Sequence, residues 1–276
     1  TAGLTHPALL ALHPAIDPVH DNNVNQEPAG SQRPPRKTHE AVTADGSGLR
    51  KYQDVMVGSK RLLTTLYYEF CVWLAPVPGA LGLVLRKFFW RRLFEHCGEG
   101  VVFGVNMILR HPGRISLGDR VVLSDGVVLD ARNDRLNKVI AIGDDVMLAN
   151  NVMVSAKGGK ISLGNRTGIG AYTVIQSTND CPVKIGCDVA IGPHCYIVGG
   201  GNYNTERYDI PMWRQGIKDD GGSTIEDDVW LGASVTVLGG VTVKHGSIGA
   251  SGAVITHSVT SRDIVGGVPA QKIGQR

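Results

Sequence analysis

The chain has 276 residues, a formal net charge of +3 and 42% hydrophobic residues. That small excess of positive charge excludes the broad basic footprint of a nucleic-acid binder, so its cations are local anion contacts. The 36 glycines would signal low complexity unless a regular series of turns accounts for them.

Residues 1–50 carry Pro, Asn, Gln, Gly and four histidines (His6, His13, His20, His39) with no apolar period, which predicts a disordered or extended arm. No charged start followed by an apolar run and a small-residue cleavage site is visible, so no secretory signal is expected. Residues 51–99 form a helical region. Its apolar stretch from Leu62 to Leu85 is broken by Glu69, Pro76, Pro78 and Gly79, and neither half nears the ~20 residues of a membrane span. Lys60 and Arg61 precede it; Arg86, Lys87, Arg91 and Arg92 follow. Two readings stand: a helical hairpin dipping into one leaflet through 60–95, giving peripheral membrane contact, or a pair of helices capping whatever follows. The five cysteines (Cys71, Cys97, Cys181, Cys187, Cys195) include no CxxC pair and are odd in number. That favours a reducing, cytoplasmic setting, at the inner face of the membrane under the first reading, and predicts neither a metal site nor a disulfide scaffold.

From Leu117 an aliphatic residue returns every sixth position: Leu117, Leu123, Leu129; Ile142, Leu148, Val154; Leu163, Ile169, Ile175; Ile185, Ile191, Ile197; then Ile225, Leu231, Val237, Val243, Gly249, Ile255. A period of six fits neither an isolated strand nor a helix. It fits short strands joined by turns, three to a triangular coil, with each coil burying its apolar stripe against the next. Steps between blocks are 13, 9, 10 and 28 residues, and each insertion follows the third strand of a coil, so all four stack on one corner. Insertions gathered on one face of a repeat commonly form its binding face. The longest, 198–224, opens with the run Gly199-Gly-Gly201 and carries Asn202, Tyr203, two arginines and Trp213.

The run from Ile225 through Val243, continuing by Ile248-Gly-Ala-Ser-Gly-Ala-Val-Ile-Thr256 to Gly267-Val-Pro-Ala-Gln-Lys272, resembles the closing signature of the hexapeptide-repeat acyltransferases, and most resembles their sugar and polysaccharide O-acetyltransferases. The resemblance covers about residues 100–276. It implies a mainly β fold, a left-handed parallel β-helix, assembled as a homotrimer. It also implies acetyl-CoA as co-substrate, with transfer to a hydroxyl of a sugar or related molecule in polysaccharide or glycolipid biosynthesis. The pantetheine arm would run between subunits beside the long loop. By the same resemblance Gly232, Ala233, Ala250 and Ser251 would offer backbone donors to it, outward-facing Trp230 would pack under it or at the trimer seam, and Lys244, Arg262, Lys272 and Arg276 would meet the CoA phosphates. Asp209-Ile-Pro211 with Gln215-Gly216 matches the family loop; Arg207, Arg214 and Gln215 are the substrate-side candidates.

Acetyl transfer needs a base for the acceptor proton, and the family places a His on this loop. Here that position falls on Asn202 or Tyr203. Asn cannot take a proton near neutrality, and a Tyr, with an ordinary pKa of about 10, would need strong perturbation. Either the base has been replaced, or Asp209, Glu206 or a His from a neighbouring subunit serves, or positioning alone suffices. Among histidines, His194 lies three residues past Ile191, at the corner between second and third faces, where a neighbour could bring it in. His245 reads as a surface turn or a CoA contact, and His111 as a loop residue. A non-catalytic binding scaffold and a sugar N-acyltransferase remain as alternatives. A carbonic-anhydrase-like metal site lacks the necessary His spacing, and the first hundred residues are too few for a nucleotidyltransferase domain.

Overall fold

The computed structural model describes residues 46–276; the arm expected over 1–50, with its four histidines, lies outside the described residues except for its last few positions. Three parallel sheets wrap one apolar column. The first face stacks His96–Cys97, Ile115–Leu117, Ile140–Ile142, Ile161–Leu163, Val183–Ile185, Ser223–Ile225 and Thr242–Val243. The second runs from Val102–Phe103 to Asp263–Gly266, and the third from Ile108–Arg110 to Val254–Ile255. Register is strict: Ile142 pairs with Leu163, Ile169 with Ile191, and Ile175 with Ile197. The fold is therefore the mainly β parallel solenoid that the six-residue period predicted. Every hexad aliphatic is buried, and even Gly249 is filled space: a Cβ there would come 3.0 Å from Leu231 Cδ2 and 3.3 Å from Ile255 Cδ1.

The solenoid begins earlier than the aliphatic series. Cys97, Phe103 and Leu109 share the six-residue spacing and form a complete coil ahead of Leu117, so its first strand precedes residue 100. An inward Phe is accommodated because this coil meets aromatic side chains, not another hexad. Phe103 lies 5.5 Å from the Phe94 ring, stacked, and 5.6 Å from Trp90.

Corners are built from left-handed residues three past an inward position, among them Arg120, Asp145, Arg166, Asp188 and Asp228 (φ 53–57°). On the corner between first and second faces they pair coil to coil, Arg120 with Asp145 and Arg166 with Asp188, each at 2.6 Å. These exposed pairs contribute little stability individually. Beside them, Asp119, Asp144, Asn165 and Asp227 accept the backbone N–H groups of Glu99, Asp119, Asp144 and Cys187. Gly118 sits directly over the Asp144 carboxylate, where a Cβ has no room.

The N-terminal end is closed by helices: α1 (Gly48–Tyr52, running into a π-helical turn at Gln53–Val57), α2 (Leu62–Trp73) and α3 (Gly79–Phe89). One face of this region is packed on the first coil. Tyr68 donates to the Leu109 carbonyl and Trp90 to Cys71. Arg86 is fully buried, donating to Phe103, Leu74, Ala75 and Val77 carbonyls, with burial lowering its pKa. The carbonyls at the end of α2 are the negative pole of that helix, which suits a cation. His111 lies in the loop expected and is buried there: it accepts a hydrogen bond from Arg114 and its other nitrogen donates to the Asp54 carbonyl, tying the π-helical turn to the first corner. Among the described residues no helix is long and apolar enough to cross a membrane.

Arg86→Met is expected to lower unfolding stability by about 2–4 kcal/mol, because several carbonyls lose their donor in a buried site. Urea titration checks this; an unchanged midpoint would show that the guanidinium does not hold the cap. A second expectation concerns acid. Burial raises the pKa of Asp130, but Arg132 and Arg110 outweigh it and hold the carboxyl below its ordinary value. The contribution is complete above the unfolded carboxylate pKa of about 4 and is lost as pH falls through the lower folded value. Asp130→Asn should therefore flatten the loss of stability below about pH 4, read as Tm against pH.

Candidate active site

All insertions leave the solenoid between the third and first faces, as their spacing predicted, and the longest is a built structure. At its base Gly199 lies against the Cys181 carbonyl and Gly200 takes φ 71°. The Gly200 N–H donates to both Asp220 carboxylate oxygens at 3.0 Å, and Gly222 N–H donates to the same carboxylate at 2.9 Å. Thr178 donates to the Gly200 carbonyl, and the Asn179 amide to Ile217 at 3.0 Å. Asp219 accepts from Gly221 N–H and from the Cys181 thiol, which hold its pKa down, while burial pushes the thiol to about 11. This foundation of Thr178, Asn179, Cys181, Asp219 and Asp220 was missed from sequence. Asp219-Asp220-Gly-Gly is a turn signal, but its partners Gly200 and Cys181 lie 20 and 38 residues away.

Above the base the loop is a short antiparallel stem, with Tyr203 bridged to Ile217, Lys218 N–H to the Asn202 carbonyl and Asn204 N–H to Gly216. Its tip is knotted by Gln215, whose side chain accepts from Arg207 N–H at 3.0 Å and donates to the Arg207 carbonyl at 2.6 Å. Tyr208, Met212 and Trp213 stand out from it exposed.

The candidate base positions occupy different surroundings. Asn202 and Tyr203 are both exposed on the stem, and among the described residues the Asn202 side chain has no hydrogen bond. Asp209 receives the Arg207 guanidinium in a two-pronged pair, and that hydrogen bond lowers its pKa. It is thereby a poorer proton acceptor than a free carboxylate, and the Arg207 fork is already occupied. Arg214 instead lies 5.1 Å over the Trp213 ring. Glu206 is exposed. His194 stands at the other end of the third-face strand, at the corner expected, with its ring stacked 5.2 Å from Tyr172 in the coil before. The structure thus gathers Asn202, Tyr203, Arg207, Asp209, Arg214 and Gln215 on one loop and leaves His194 off it.

On the second face Trp230 is exposed and paired in register with Ala190 and Ile248. The Gly232 and Ala250 N–H groups are taken up by the Gly249 and Val265 carbonyls. Those of Ala233 and Ser251 have no partner among the described residues. Lys272 pairs with Asp263 at 2.6 Å and Arg276 with Asp228 at 2.7 Å, while Lys244 and Arg262 lie in exposed turns. His245 is in an exposed turn lining a shallow depression of about 280 Å³ with Lys184, Glu226 and Asp227. A second cavity, about 350 Å³, lies between the helical cap and the first corner, lined by Tyr67, Arg92, His111 and Arg114. The long loop reaches neither except through Thr224, in the strand Ser223–Ile225 where it ends. Among the described residues no group of three or more His, Cys, Asp or Glu is placed to hold a metal ion.

No protein-family model matches the chain. A probable acetyltransferase of Mycobacterium tuberculosis is 28% identical over 168 residues, which are 61% of this chain and 54% of the relative. A putative acetyltransferase of Schizosaccharomyces pombe is 33% identical over 91 residues, 33% of this chain and 42% of its own length. Among solved structures, an N-acyltransferase from Bacillus cereus in complex with dTDP and 3-hydroxybutyryl-CoA aligns with TM-score 0.46 at 18% identity, over 69% of this chain and 88% of that one. The chain spans about half the length of the curated relatives it matches. With the solenoid, these relatives bear out the resemblance to the hexapeptide-repeat acyltransferases.

Asp220→Ala is expected to loosen the loop alone. Amide exchange at Gly200 and Gly222 should quicken by about 1–2 kcal/mol of lost protection, while the Ile175 and Ile197 amides stay protected. Uniform deprotection of the coils would show that the carboxylate supports the whole fold instead.

Proposed function

We propose that the chain is a CoA-dependent acyltransferase that moves an acetyl group from acetyl-CoA to a hydroxyl of a sugar or related small molecule, in polysaccharide or glycolipid assembly. The observation that carries the reading is the long loop rising from the fifth coil directly beside the closing repeats 225–255, the part of the chain that resembles acetyltransferases. Five unpaired thiols accord with the reducing, cytoplasmic setting of this reading.

In the reaction the acceptor oxygen attacks the thioester carbonyl, a proton leaves the acceptor, and the CoA thiolate departs. Bound acetyl-CoA supplies the acyl group; the chain's residues place it and manage the proton. Trp230, with the small Ala190 beside it in register, offers an exposed ring edge for the pantetheine arm. The free Ala233 and Ser251 N–H groups suit its amide carbonyls, and Lys244 and Arg262 suit the phosphates. Lys272 and Arg276 already have carboxylate partners and are weaker phosphate contacts than the resemblance implied.

The reading includes a homotrimer. Outward positions on the second and third faces carry exposed Val102, Met147, Trp230, Ile108 and Met153, whereas the first face carries Ser116, Ala141, Ser162, Lys184 and Thr224. Apolar outward residues on two adjacent faces suit burial against neighbours. His194 lies on the corner between those faces, so a neighbouring copy is the route by which an imidazole reaches the loop. Arg214 then faces the acceptor, with Gln215, Arg207 and Asp209 tying the loop tip together. The scaffold reading is kept for one specific reason: residues 198–224 contain no His, and the Asp209 carboxylate is already paired with Arg207.

Calorimetric titration with acetyl-CoA and a CoA-release assay over hydroxyl and amine sugars test this, with Asn202→His and Tyr203→His beside the unaltered protein. Acetyl-CoA should bind, and one His variant should raise turnover by about a hundredfold, the scale of general-base catalysis. Loss of turnover on His194→Gln in the unaltered background would assign the base to the neighbouring subunit. Absence of CoA binding in all forms would leave the scaffold reading. A preference for amine over hydroxyl acceptors would convert the assignment to N-acylation.

A further inference from the structure

We propose that the outer face of the helical cap seats the molecule on an anionic membrane surface. The inner face is fully used: Thr65, Tyr68 and Cys71 of α2, Gly82 and Arg86 of α3, and Trp90 are buried against each other and the first coil. Capping needs no more than this, and a solenoid cap ordinarily presents a polar outer face to water. Here the outer face is apolar. Leu63 is 81% exposed and Trp73 79%, and Leu66, Leu81, Val84 and Phe88 are also more than half exposed. Phe70 meets Phe89 edge-on with centroids 5.0 Å apart, and the Tyr67 hydroxyl donates to the Phe89 carbonyl, so the helices present one joined surface.

Charge selects the occupant. Lys60 and Arg61 precede α2; Lys87 is on α3, and Arg91 and Arg92 follow it, all exposed. Glu69 is the one acidic residue on either helix, and it is held by the Tyr52 hydroxyl. An apolar face rimmed by cations and nearly free of acids complements the negative surface of a lipid leaflet. At 12 and 11 residues, the helices are too short to span the hydrocarbon core, so they lie in the interface plane. A second copy of the chain is the less suitable occupant, because the basic rims would face each other. The proposal does not depend on acyl transfer.

The test is co-sedimentation of the full chain with vesicles of phosphatidylcholine alone or with phosphatidylglycerol. The variants are Leu63→Ser with Trp73→Ser, and Lys60→Glu with Lys87→Glu. None of these side chains is part of the buried inner face, so thermal unfolding should shift little, which confirms that the cap is intact. Binding to the anionic vesicles is expected, weakening with added salt and falling at least tenfold in each double variant; neutral vesicles should bind weakly. Three results would overturn the proposal: no binding to anionic vesicles, binding indifferent to Leu63→Ser with Trp73→Ser, or an oligomer that dissociates in that variant, which would assign the face to contact between copies.

Discussion

Inward residues of successive coils must coincide, because each coil's apolar stripe is covered only by the coils above and below. The hydrogen bonds between coils enforce this: Gly168 N–H reaches Val189 and Gly170 N–H reaches Ile191, so a slip of one residue would turn every aliphatic outward. Within a coil the hexad therefore cannot stretch. Extra residues fit only where no strand pairing constrains the path, and in this chain that is the corner between third and first faces. The position of the long loop follows from the core.

The same constraint explains what could be read from sequence. Position, spacing and burial of the hexad residues were legible because they recur locally. The corner between first and second faces was not, because its partners lie about twenty residues apart and only stacking brings them together. Arg120 meeting Asp145 and Arg166 meeting Asp188 are one rule repeated, opposite charges at equivalent turn positions of neighbouring coils. Asp188 and Asp228 break that rule with like charges on consecutive coils, and Arg276, returning at the end of the final strand, reaches Asp228. The first coil was obscured for a related reason. Its inward Cys97 and Phe103 meet helices on one side, so they are free of the aliphatic rule that stacking imposes on later hexads.

At the loop, the sequence showed which residues are present but not which are already engaged. Arg207 and Asp209 are two positions apart and each could have faced a ligand; the structure turns them on each other. The foundation that fixes the loop, Asp220 under Gly200 and Gly222, spends its carboxylate on backbone N–H groups of the loop itself. In the proposed trimer, the loop's ordered stem and exposed tip would be held rigid on one chain and covered by another. The absence of a His from the loop fits that proposed arrangement, since a site shared between subunits need not take every group from one of them.

The two ends of the solenoid are closed by different means, and the difference bears on orientation. At the C-terminus Gln271–Gln275 folds back antiparallel on Asp263–Gly266, with Lys272 paired to Asp263. That end is polar apart from Ile273 and Val268. At the N-terminus a buried guanidinium, four carbonyls and an aromatic cluster bind a hairpin whose far side is apolar and rimmed by cations. Capping requires the inner half of that hairpin only. A soluble cap with this sequence would gain by exchanging Leu63 or Trp73 for a polar residue, since neither touches the buried face. The outer half therefore calls for a surface of its own, and the rigid attachment through Arg86 and Tyr68 means that whatever binds there also fixes the direction of the solenoid axis and of the loop that rises from the fifth coil.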